Sequence, residues 1–202
     1  IPPGLRGSLY RNGPNPQFAP ADPARHHWFL GDGMVHAFHI AEGRVAYRNR
    51  WVRTPRWQAE RTAARALFAG FGPSDDPAAA GLDSGVANTS VVWHAGRLLA
   101  LEEAHLPFAL DPATLESLGY HDFGALKVPR FTAHPKLDPE TGEMLFFAYG
   151  LGGPLGPGMA YGTVDAAGRL TRCDLFEAPY AAMVHDFVAT RRHVLFPVLP
   201  LT

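Results

Sequence analysis

The sequence predicts an all-β protein built from hairpins, and a β-propeller ahead of a β-sandwich. Three observations carry this. Glycine (21) and proline (19) make about a fifth of the 202 residues, a content that suits many short strands joined by turns. A short pattern recurs in Ile40-Ala-Glu-Gly43-Arg-Val, His94-Ala-Gly96-Arg-Leu, Pro139-Glu-Thr-Gly142-Glu-Met and Asp165-Ala-Ala-Gly168-Arg-Leu. No regular alternation of helical segments separates these hairpins.

Each copy sets a glycine before a long polar residue and then an apolar one. Apolar or β-branched runs flank the copies, such as Met34 to Ile40 and Leu145 to Tyr149. Each is read as a hairpin turn, where glycine supplies the positive φ of a tight reversal. The intervals between the four glycines, 53, 46 and 26 residues, are irregular. They still bracket the ~40–45 residues of a four-stranded propeller blade, so the chain would hold roughly four blades.

One stretch departs from the β pattern. Residues 59–81 are expected to form a helix-prone insertion, alanine-rich from Ala59 and dissolving into a loop from Pro73. Ala63, Leu67 and Phe71 fall on one helical face, with Phe68 beside them. The plainer reading is a helix packed on the sheets. The functional one is an apolar patch that rests on a membrane surface or opens to a greasy ligand.

Composition narrows the function. Hydrophobic residues at 47% and charged residues at 18% describe a globular chain. A net charge of −1 gives no bulk attraction for nucleic acid or an anionic membrane. One cysteine, Cys173, excludes an internal disulfide and suits a reducing, cytoplasmic setting. The chain opens on Ile1 without a methionine and closes on the apolar run from Val194 to Leu201. It is therefore expected to be part of a longer protein.

Among ten histidines, most have no setting that suggests a shared site. His26 and His27 are adjacent, so in an extended chain they face opposite ways. His36 and His39 resemble an H-x-x-H pair, but in a strand positions i and i+3 also point to opposite faces. His134 and His185 differ. His134 lies in Phe131-Thr-Ala-His-Pro-Lys-Leu-Asp138, where Pro135 tends to end or bend a strand. His185 lies in Met183-Val-His-Asp-Phe187, read as an inner strand that leads to a turn over 189–192. On these grounds alone each is read first as a buried structural histidine, and second as one ligand of a site assembled by the fold.

Several segments in order resemble the carotenoid cleavage oxygenase family. They are Leu9-Tyr-Arg-Asn-Gly-Pro-Asn-Pro16, His27-Trp-Phe-Leu-Gly-Asp-Gly-Met-Val-His-Ala-Phe38, Val86-Ala-Asn-Thr-Ser90, Leu98 to Glu103, Asp111-Pro-Ala-Thr-Leu-Glu116 and the two histidine segments. The resemblance implies a seven-bladed propeller, of which these residues would be the N-terminal half. It also implies a non-haem Fe(II) held by four histidines. His134 and His185 match the first two, and the other two are expected outside these residues. Glu103, nine residues before Pro112, matches an outer glutamate that orients His185.

The implied reaction inserts both atoms of O2 across a C=C bond of an apolar polyene or styryl substrate, giving two carbonyl products. Two points favour a carotenoid or apocarotenoid over a stilbene. Glu102 stands where stilbene-cleaving relatives usually carry a lysine for the substrate phenolate. Leu67, Phe68 and Phe71 fall where relatives acting on membrane-dissolved isoprenoids have an apolar segment, implying peripheral membrane contact. The alternatives are a dioxygenase of stilbenes or phenylpropenes, and a propeller that binds or isomerises a hydrophobic ligand without O2.

Overall fold

The computed structural model describes every residue except 21, 25, 71–73, 154–155 and 201–202. The first sheet has three strands, β1 (Gly7–Pro14), β2 (Gly33–Ala41) and β3 (Arg44–Trp51), in that order and antiparallel throughout. The second holds β4 (Ser90–His94), β5 (Arg97–Leu101), β6 (Phe108–Leu110) and β7 (Ser117–Tyr120), also in chain order. The third is an antiparallel meander of β8 (Lys136–Leu137), β9 (Met144–Leu151), β10 (Gly158–Val164) and β11 (Leu170–Glu177). Four two-residue strands follow: β12 (Ala182–Met183), β13 (Val188–Ala189), β14 (Val194–Leu195) and β15 (Leu199–Pro200). β12 pairs with β15 and β13 with β14.

The four turn glycines do what their pattern requires. Gly43, Gly96, Gly142 and Gly168 all have positive φ, between 72° and 82°. At two of them the preceding residue is left-handed as well, Glu42 at 53° and Ala95 at 47°. Two successive positive φ values match the twist of the strands that the turn joins.

Among the described residues one α-helix forms, α1 (Pro55–Ala63), which begins before the helix-prone stretch 59–81 and ends within it. Its start is set by Thr54, whose side chain accepts from the Trp57 N–H, with proline at the first helical position. It stops where Ala64 turns left-handed at φ 54°. Past that point the Glu60 carboxylate accepts from the N–H groups of Leu67 and Phe68, so these two return to the helix instead of extending it. Among the described residues of the loop a 3₁₀ turn, Pro77–Ala79, follows.

The residues form two compact units. One comprises Ile1–Val92, Arg97–Ala100 and Phe108–Gly119, and the other Trp93–Gly96, Leu101–Pro107 and Tyr120–Thr202. In the first, Leu67, Phe68 and Ala79 make a buried cluster against Ala59 and Ala63 of α1. In the second, Phe147, Met159, Val184 and Phe187 form a core that partly buries Leu145, Tyr149 and Phe196. Both predicted histidines belong to this second unit.

Candidate functional site

His134 sits in a bend just before β8, and its position is set by its neighbours. Phe131 is fully buried and stacks on Phe146 at 4.6 Å between ring centres. The Thr132 N–H donates to the Phe147 carbonyl of β9, and the Thr132 hydroxyl accepts from the His134 N–H at 3.0 Å. The loop is thus pinned on both sides of the residue that carries the ring.

His185 lies between β12 and β13 and not within a strand. Val184 and Phe187 are buried in the second unit's core, Phe187 edge-on to Phe147 at 5.1 Å. His185 itself turns outward, 56% exposed at the side chain. Two apolar anchors therefore hold the short segment while its polar ring stays accessible.

The two rings meet. His134 Nε2 and His185 Nε2 lie 3.0 Å apart, with the rings edge to face. The Glu103 carboxylate accepts from His185 Nδ1 through Oε1 and from the Tyr149 hydroxyl through Oε2, the latter at 2.5 Å. Because a carboxylate accepts, the His185 proton is drawn to Nδ1 and Nε2 is left with its lone pair free. Burial, and secondly the neighbouring His185, hold the His134 pKa below the usual histidine value, which favours its neutral, ligating form. Burial and then the bond to Glu103 push the Tyr149 phenol above its ordinary range, so it stays a donor. A second tie joins the loops: Lys136 Nζ donates to Asp186 Oδ1 at 2.7 Å, one residue past His185.

This geometry fits a metal. Bonds of about 2.1 Å meeting at a right angle place two donor nitrogens ~3.0 Å apart. Among the described residues no group of three or more histidine, cysteine, aspartate or glutamate side chains could hold a metal ion. A complete shell would need donors beyond this pair.

The other expected site residues lie elsewhere. Glu102 is buried, with Oε1 3.1 Å from His105 Nδ1, while the next carboxylate, Glu103, reaches His185. It is not brought to the histidine pair. Leu67 and Phe68 are each only 3% exposed, packed on α1. Phe68 also lies under the Arg56 guanidinium at 4.8 Å. They are core side chains here, which corrects their expected role as outward membrane or substrate contacts. Phe71 lies outside the described residues. His36 and His39 take separate partners, Tyr47 and Ser8. Tyr149, Lys136, Asp186 and Thr132 were not anticipated. Of these only Tyr149 carried a signal, a polar tip at the end of the apolar run from Leu145.

Antiparallel sheets that aim two imidazole nitrogens at one point, with a carboxylate behind one of them, define a histidine site carried on an all-β frame. The family described as retinal pigment epithelial membrane protein matches residues 1–202. The isoeugenol monooxygenase of Pseudomonas nitroreducens is 46% identical over 206 residues, covering 100% of this chain and 42% of that protein. The crystal structure of the Pseudomonas brassicacearum lignostilbene dioxygenase superposes with a TM-score of 0.94 at 45% identity, over 100% of this chain and 42% of that one. The cobalt-substituted apocarotenoid oxygenase of Synechocystis gives a TM-score of 0.82 at 32% identity, over 97% of this chain and 43% of that one.

The chain belongs to this family, that of the carotenoid cleavage oxygenases. Its sheets are those of the family's β-propeller, and the chain spans about two-fifths of the length of the relatives it matches.

Proposed function

We propose that the whole protein is a non-haem Fe(II) dioxygenase that cleaves a C=C bond conjugated to an aryl ring, with His134 and His185 as two of the iron ligands. The observation that carries this reading is the convergence of the two Nε2 atoms at 3.0 Å with Glu103 behind His185. Neutral imidazoles leave a bound divalent ion its full charge and suit iron. An Fe(II) held there would supply one-electron chemistry that opens a path between O2 and an alkene, with no net change in its own oxidation state. One O2 and one C=C give two C=O groups, so the balance needs no outside reductant.

The chain's own residues do the positioning. Glu103 fixes the tautomer and tilt of His185, and the Thr132 hydroxyl and Phe131 hold the His134 loop. No side chain is required as a nucleophile. The rate advantage comes from holding the double bond still beside the metal with water kept out.

On substrate, neither Glu102 nor the Leu67–Phe68 pair favours a carotenoid in this structure. Glu102 pairs with His105, and Leu67 and Phe68 are buried. Relatives named for isoeugenol and lignostilbene oxidation support a phenylpropene or stilbene instead. A carotenoid or apocarotenoid remains the second reading, supported by the apocarotenoid oxygenase of Synechocystis. A cytoplasmic setting, with peripheral membrane contact as the alternative, is part of this proposal, and the low cysteine content of these residues supports a reducing compartment.

The test offers the whole protein a propenylphenol, a hydroxystilbene and a carotenoid under labelled O2, with aldehydes identified by mass spectrometry. Label in both carbonyl products of the aryl substrates, matched by O2 uptake, is the expected result. Turnover of the carotenoid alone overturns the aryl reading. Product formed without O2 uptake overturns the dioxygenase reading.

A further inference from the structure

The geometry points to Tyr149 as a positioning residue for the histidine pair, acting through Glu103; the inference rests on the metal reading above. Glu103 has two oxygens and two partners, His185 on Oε1 and the Tyr149 hydroxyl on Oε2. A carboxylate held at one oxygen can still swing about its terminal bond, whereas one held at both keeps its plane. The plane of Glu103 sets the tilt of the His185 ring, and hence where Nε2 points.

The strand makes this arrangement rigid. Tyr149 lies on β9 two residues after Phe147, so both side chains leave the same face. Phe147 packs on Phe187 beside His185, and Tyr149 packs against the same core. The tyrosine is fixed on the far side too, where its carbonyl accepts from Arg130 at 3.5 Å. One face of one strand thus carries both the apolar support for the His185 segment and the donor that orients its carboxylate. Glu103 is 16% exposed at the side chain, so little water can take the place of the hydroxyl.

The test measures anaerobic binding of Co(II), whose visible absorption bands report ligand geometry, by the whole protein and its variants. Tyr149→Phe is expected to weaken binding about five-fold and to shift the bands. Glu103→Ala is expected to weaken it roughly 10- to 100-fold. In the Glu103→Ala background the added Tyr149→Phe change should cost nothing more, because its only route to the metal is gone. Tyr149→Leu, which lacks both hydroxyl and ring, should lose at least as much affinity as Tyr149→Phe, because the ring also packs on the core beside His185. An equal loss from Tyr149→Phe in both backgrounds, or no loss in either, would overturn the inference. If His134→Ala and His185→Ala bind Co(II) like the parent, the metal reading itself fails. Loss in those two with none in Tyr149→Phe sinks only the role of the tyrosine.

Discussion

Glu103 and Asp32 are both poorly exposed carboxylates, and they differ in what surrounds them. Glu103 is met by two donors. Glu103→Gln keeps an acceptor but loses the charge that draws the proton to His185 Nδ1. Iron affinity in the whole protein is expected to fall about ten-fold, read by anaerobic titration. Asp32, 3% exposed, accepts from the Gln17 N–H at 3.0 Å. Burial raises its pKa, opposed by the Gln17 bond, with Glu60 adding to the rise and Arg56 opposing it. A carboxyl whose folded pKa exceeds its unfolded value adds stability below the unfolded pKa and loses it as pH climbs through the folded one. Asp32→Asn, neutral at every pH and still an acceptor, should therefore melt higher than the parent at pH 7, by a few degrees. The gap should close as pH falls towards about 4. A lower melting point at pH 7 would refute this.

At the scale of elements, local signals were legible and their extent was not. Each of the four turn glycines stands where the recurring pattern put it, because a left-handed φ is a property of one or two residues. The helix was legible as a tendency only. Its true ends come from the Thr54 cap, Pro55 and the left-handed Ala64, all outside or at the edge of the alanine-rich window's face pattern. Thr54 is fully buried, and Thr54→Ala should cost about 1 kcal/mol, seen as a lower urea midpoint with an unchanged slope. In β10, a Cβ on Gly162 would come within 2.5 Å of the Arg172 carbonyl oxygen and strike the Phe146 ring. Gly162→Ala should therefore destabilise by roughly 1–3 kcal/mol, and since Phe146 backs Phe131 in the His134 loop, it should weaken metal binding as well. Unaltered affinity and stability would show that the sheet yields there.

For the whole molecule, a metal that binds only the folded state must raise its stability. Fe(II) at 100 times its dissociation constant should add about 2.7 kcal/mol, visible as a higher melting temperature under anaerobic conditions. The rise should vanish in His134→Ala and in His185→Ala. Persistence of the rise in both would place the metal elsewhere. At this scale Glu102 and Leu67 are defined by what they pack against, which their position in a motif does not reveal.

The sequence by itself determined the all-β class, the turns, the family and the two histidines worth following. These rest on local backbone chemistry or on runs of residues read in order. Only the tertiary structure decided that His134 and His185, 51 residues apart, bring their Nε2 atoms to 3.0 Å. It alone placed Glu103, 82 residues from His185, with Tyr149 behind it. It also sent Leu67 and Phe68 inward. The physical reason is the same in each case: a side chain's direction across such separations is set by strand register and core packing, which no short stretch of sequence contains.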